Sequence, residues 1–108
     1  MSFVQITTID GLPLSTMKAY TVNGKEILLT NYYGKYYAMG LKCTHMGGDL
    51  SKGKLEGKIV TCPRHGAKFD ITTGECISGP RMGFMKPKIK NEIIFMVKVE
   101  GNNILIDI

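Results

Sequence analysis

Two short stretches restrict this chain more than anything else in it: Cys43-Thr44-His45 and, sixteen residues further on, Cys62-Pro63-Arg64-His65. They hold both histidines of the protein and two of its three cysteines. Each stretch offers one thiolate and one imidazole, so four ligands from two loops point to a metal site. Any fold of this chain must bring the two loops together.

The spacing within each loop bears on the metal. A mononuclear Cys2His2 zinc site usually separates paired ligands by two to four residues, so that both curl onto one ion. Cys62-x-x-His65 meets that condition and Cys43-x-His45 does not. A binuclear centre removes the difficulty. If both thiolates hold one iron and both imidazoles a second, each loop spans the pair, as in a [2Fe–2S] cluster in which two histidines replace two cysteines.

The rest of the chain is a series of short strands. Strand-like runs occupy Phe3 to Ile9, Met17 to Val22, Lys25 to Tyr32 and Tyr36 to Met39, with Asn23-Gly24 and Gly34-Lys35 as turns. Ser51 to Gly57 reads as a polar connection in which Leu50 and Leu55 are inward anchors. Ile59 to Thr61 leads into Cys62, Ala67 to Phe69 leaves His65, and Glu75 to Ile77 returns. Ser78 to Pro87 reads as a loop, Glu92 to Glu100 as one long strand, and Ile104 to Ile108 as the last. No segment carries a helical period over eleven or more residues. The expected fold class is all-β, stacked antiparallel sheets with a small subdomain formed by the two ligand loops. A single domain over 1–108 is expected, with the ligand subdomain at about 40–87 and a base from about 1–39 and 88–108.

Composition narrows the function. With 108 residues, 44% apolar and 21% charged, the chain can bury a core without disulfides. Met1–Asp10 has no basic n-region, and Ile93 to Val97 is too short to cross a bilayer, so a cytoplasmic location is expected and a membrane is not. Three cysteines, two of them assigned to metal, leave Cys76 as a small buried apolar residue and fit a reducing compartment. The net charge of +5 is spread along the chain without aromatic interleaving, which favours an acidic protein partner over nucleic acid.

Cys43-Thr44-His45-Met46-Gly47-Gly48-Asp49-Leu50 together with Cys62-Pro63-Arg64-His65-Gly66 resembles the two cluster-binding boxes of Rieske proteins. The resemblance runs on through Phe69-Asp70, Thr73-Gly74 and Gly79-Pro80 and covers about forty residues. It is nearest to the small Rieske-type ferredoxins. It implies one [2Fe–2S] cluster as cofactor, with Cys43 and Cys62 on the inner iron and His45 and His65 on the outer iron, near the surface. The Gly79-Pro80 loop would cover the cluster from a third side. It implies an electron carrier with no catalytic residues of its own, whose partners are a reductase and a terminal oxygenase or reductase, and a monomer is expected.

Two departures refine this. Respiratory and photosynthetic Rieske proteins join a further cysteine from each box in a disulfide; here those positions fall near Gly47 and at Arg64. They also place a serine two residues after the second histidine, where this chain has Ala67. The chain thus resembles the low-potential, disulfide-free branch. For the docking face, Met46, Met82, Phe84 and Met85 suggest a soft apolar surface, ringed by Lys42, Lys52, Arg64, Arg81 and Lys86. Two other functions compete: the small Rieske subunit of a multi-subunit reductase such as nitrite reductase, and a zinc-binding interaction module.

Overall fold

The structure is a computed structural model that describes residues 2–44, 47–64, 66–79 and 89–108. Among these residues there are eleven strands and two short 3-10 turns, at Ile9–Gly11 and Leu50–Lys52. The strands are β1 (Phe3–Thr8), β2 (Thr16–Val22), β3 (Lys25–Tyr32), β4 (Lys35–Gly40), β5 (Lys54–Glu56), β6 (Ile59–Thr61), β7 (Lys68–Asp70), β8 (Cys76–Ser78), β9 (Ile94–Phe95), β10 (Val97–Glu100) and β11 (Asn103–Asp107). They form three antiparallel sheets, ordered β1-β11-β10, β2-β3-β4-β9 and β5-β6-β7-β8.

The middle sheet is set by two tight hairpins. Val22 pairs with Lys25 across Asn23-Gly24, whose φ angles are 50° and 77°. Two successive positive values define the turn whose twist matches the flanking strands, and Asn-Gly adopts it readily. The same turn recurs at Tyr33-Gly34, with φ 51° and 87°. Tyr33 is a poor residue for this conformation, and Asn31 Oδ1 supports the turn by accepting the Gly34 N–H at 2.9 Å.

β3 is the wall between two cores. Ile27, Leu28, Leu29, Thr30 and Asn31 are all buried, so its run of apolar residues is covered on both faces. Side chains alternate across a strand. Ile27 and Leu29 accordingly pack with Leu12, Ala38, Ile104 and Ile106. Leu28 points the other way and joins Met39, Leu41, Leu50, Val60, Phe69 and Ile71, a cluster that also contains Cys43, Cys62 and Cys76. The cysteines therefore sit in a core built directly on the central strand.

The second turn falls at Tyr33-Gly34, one residue earlier than the expected Gly34-Lys35, because Lys35 already pairs with Tyr32; two further segments differ from the sequence expectation. Glu92 to Glu100 is not one strand: β9 pairs with β4, while β10 pairs with β11 in another sheet. An apolar run cannot signal by itself that the chain changes sheets within it. The connection over Ser51 to Gly57 contains β5, which pairs with β6. Leu50 is nonetheless fully buried and Leu55 packs against the same core. Among the described residues no helix is long and apolar enough to cross a membrane.

Candidate metal centre

Cys43 and Cys62 each open a six-residue loop closed by an antiparallel pair. Lys42 bridges to Asp49 around residues 43–48, and Thr61 pairs with Lys68 around residues 62–67. The backbone bonds inside the loops correspond one to one. The Cys43 N–H donates to the Gly48 carbonyl at 2.7 Å, and the Cys62 N–H to the Ala67 carbonyl at 2.7 Å. The Gly47 N–H donates back to the Cys43 carbonyl at 2.9 Å, and the Gly66 N–H to the Cys62 carbonyl at 3.2 Å. Gly47 and Gly66 both take left-handed φ values, 69° and 77°, where a side chain would be strained. The two loops are thus copies of one backbone device.

Counted from each cysteine in the sequence, Arg64 corresponds to His45 and His65 to Met46. The histidines fall one residue apart in the shared frame, and this offset is the difference between the x and x-x spacings. The sequence carried the signal, a glycine four residues after each cysteine, but the spacing of ligands alone did not reveal it.

Cys43 and Cys62 are both buried, 4% and 3% exposed, and no disulfide joins any of the three cysteines. The loops press closely together. A Cβ added at Gly48 would lie 2.8 Å from the Cys62 Sγ and 3.2 Å from the Arg64 Cγ. Glycine at this position keeps the space around the Cys62 thiol clear, which fits a bulky inorganic group bound through that sulfur. Ala67, 1% exposed, has no side-chain donor to offer it. His45, His65 and Met46 lie outside the described residues, as does the segment 80–88 with Pro80, Arg81, Met82, Phe84, Met85 and Lys86. Of the basic rim, Lys42, Lys52 and Arg64 are exposed, and Lys42 faces Glu26 at 3.9 Å.

Acidic residues brace the surroundings. Asp49 accepts from the Ser51 N–H at 2.9 Å and the Ser51 hydroxyl at 2.6 Å. Partial burial works to raise its pKa, but the Ser51 bonds, Lys42 and Lys52 outweigh it, and the carboxyl lies below the ordinary range. Asp70, the last residue of β7, repeats the pattern. Its partial burial is outweighed by two bonds from Thr72 and by Lys58 at 3.5 Å, so its pKa is also lowered.

Glu92 differs from both. The residue is 7% exposed, and its Oε1 packs where a Cβ on Gly40 would fall. Burial pushes its carboxyl up to about 7, against a smaller lowering effect of the Thr44 backbone. Its Oε2 is buried with no hydrogen-bond partner among the described residues. Sequence reasoning placed Glu92 at the start of a strand and missed this role. A lone acid ahead of Ile93-Ile94-Phe95 was the available signal. Cys76 is buried in the core, 1% exposed, with its N–H bound to Asn91 Oδ1 at 2.9 Å, as a small apolar residue should be.

Comparison with known proteins gives the family. The family model of the Rieske [2Fe-2S] domain matches residues 2–93. The ferredoxin component of a naphthalene 1,2-dioxygenase system from Pseudomonas aeruginosa is 35% identical over 106 residues, covering 98% of this chain and 95% of the relative. The ferredoxin component of biphenyl 2,3-dioxygenase from Rhodococcus jostii (strain RHA1) is 30% identical over 108 residues, covering 100% of this chain and 94% of the relative. Among solved structures, the ferredoxin of carbazole 1,9a-dioxygenase from Nocardioides aromaticivorans IC177 superposes with a TM-score of 0.81 at 26% identity, covering 98% of this chain and 97% of that one. Matched loops, buried thiols and full-length relatives agree, and the chain belongs to the Rieske [2Fe–2S] family.

Proposed function

We propose that this protein is the freestanding ferredoxin of a ring-hydroxylating dioxygenase system, carrying one electron at a time from a reductase to an oxygenase. Cys43 and Cys62 are assigned to the inner iron, and His45 and His65 to the outer iron. The observation that carries this reading is the identical backbone frame around Cys43 and Cys62, which presents two thiols from a buried core on facing loops. A bound [2Fe–2S] group supplies a one-electron couple, and two neutral imidazoles in place of two thiolates raise its potential above that of an all-cysteine cluster.

The protein's own part is rigidity and exclusion of water. The Cys43 and Cys62 amides are tied within their loops, Leu28, Met39 and Phe69 back the site, and Gly48 fits against Cys62. Fixed ligands keep reorganisation on electron transfer small. Relatives of nearly equal length, each named a ferredoxin component, favour this reading over a subunit of a larger reductase. The chain acts as one domain, as a monomer, in the cytoplasm, and meets an acidic partner through Lys42, Lys52 and Arg64.

An anaerobic redox titration tests the proposal. It should consume one electron per chain, with a midpoint in the lower part of the roughly −150 to +300 mV range of Rieske centres, because Ala67 offers no hydroxyl to a cluster sulfur. A strongly positive midpoint at neutral pH, or no reversible couple, contradicts it.

A further inference from the structure

Arg64 sits at the seam between the two ligand loops. It belongs to loop 62–67, two residues after Cys62 and one before His65. Its stem reaches the other loop: a Cβ built on Gly48 would lie 3.2 Å from the Arg64 Cγ, 3.3 Å from its Cδ and 2.8 Å from the Cys62 Sγ. One point on loop 43–48 thus meets both the thiol and the arginine stem. Long basic side chains lay their methylenes on the protein and keep the charged head in water, and Arg64 is exposed overall. The head begins one bond beyond Cδ, so the Gly48 contact keeps the guanidinium close to the Cys62 sulfur.

No acid of the chain cancels that charge. All nine acidic residues lie among the described residues. The ion pairs found there are made by Lys42, Lys54, Lys58 and Lys98, and none includes Arg64. Asp49 follows Gly48 directly, but its carboxylate is occupied by the two bonds from Ser51. A cation anchored across both ligand loops and left unpaired has its field available to whatever the loops hold.

We propose that Arg64 sets the potential of the electron-transfer centre: its guanidinium, anchored against Gly48 beside Cys62, stabilises the reduced state and raises the midpoint. Reduction adds one negative charge, and a fixed cation nearby favours the state that carries it. Across about 8 Å, with an effective dielectric between about 40 and that of water, one unit charge changes the reduction equilibrium about two- to sixfold. At 59 mV per tenfold for one electron, that is about 20–45 mV. Ala67 withholds a donor from the centre, and Arg64 works in the opposite direction. The proposal goes beyond docking of an acidic partner and rests on the assignment of Cys62 and His65 as ligands.

The test is a charge series in the cluster-loaded protein, read as the midpoint potential at neutral pH and low ionic strength. Lysine, glutamine and glutamate all keep the Cγ and Cδ carbons that meet Gly48 and change only the head. Arg64→Lys should hold the midpoint close to the parent value. Arg64→Gln should lower the reduction equilibrium by the two- to sixfold given above, and Arg64→Glu should move the midpoint about twice as far. The differences within the series should shrink as the salt concentration is raised, because exposed charges are screened. Equal midpoints in the parent and Arg64→Gln overturn the proposal. So does a Lys variant that falls as far as the Gln variant, since the shape of the head rather than its charge would then govern the potential. A parent protein without a mixed-ligand [2Fe–2S] signature overturns the ligand assignment instead, so the two failures are distinct.

Discussion

The two ligand loops share a backbone and differ in what supports them. Loop 62–67 connects β6 directly to β7 and is held within one small sheet. Loop 43–48 leaves the middle sheet, closes on the single Lys42–Asp49 bridge, and is tied down by the Thr44 hydroxyl, which donates to the Lys90 carbonyl. The same cysteine geometry is thus reached once by local pairing and once by contacts more than forty residues away in sequence. Local pairing forms early and tolerates change nearby, whereas a distant brace couples the loop to groups far from it.

Replacing either cysteine is the harshest perturbation of this comparison. Cys43→Ser and Cys62→Ser should each abolish cluster loading, read as iron and sulfide per chain. Equal losses support equivalent roles, and retention of a full cluster in either variant breaks the equivalence.

The next effect comes from Glu92, which lies beside Gly40 and lines one groove with Thr44 of the first loop. Glu92 has a folded-state pKa of about 7, raised by burial above its ordinary 4.5. Its contribution to stability is therefore fully present below pH 4.5 and is lost as pH rises through about 7, because the unfolded chain ionises first. The slope integrates to at most about 3 kcal/mol. Denaturant titrations from pH 4.5 to 8 should show that fall in the parent, and Glu92→Gln should remove it. Asp70 acts in the opposite sense: its lowered pKa stabilises above pH 3.8, and that contribution is lost as pH falls through its folded value.

A smaller asymmetry concerns the last residue of each loop. Gly48→Ala drives a Cβ against the Cys62 Sγ and should cost about 1–3 kcal/mol, with reduced cluster occupancy. Ala67→Gly, at the equivalent position, removes a buried methyl and should cost about 1 kcal/mol. Thermal unfolding of the two variants ranks them. Smallest of all should be the difference between Gly47→Ala and Gly66→Ala. Each places a side chain at a left-handed φ with open space around it, so each should cost about 1 kcal/mol, and a clear inequality would show that the loops are not true copies.

Much of this was legible in the residues. Asn23-Gly24 marked its hairpin because the turn it makes needs two positive φ values. Cys43 and Cys62 stood out through their company, and the alternation around Val60 and Phe69 placed them beside strands. The switch of sheets between Phe95 and Val97 was hidden, since both segments are apolar and extended and the choice of partner is tertiary. Glu92 was hidden for a related reason. Its meaning depends on Thr44 and Gly40, which only the folded chain brings to it. Gly48 was visible as a glycine, but the thiol it makes room for belongs to the other loop.

The central claim is that the two loops hold one mixed-ligand [2Fe–2S] cluster. Electron paramagnetic resonance of the dithionite-reduced protein tests it most directly. A rhombic signal with an average g value below that of an all-cysteine [2Fe–2S] cluster, integrating to one spin per chain, is the predicted result. A silent spectrum with zinc in the protein, or the higher average g of an all-cysteine cluster, would contradict it.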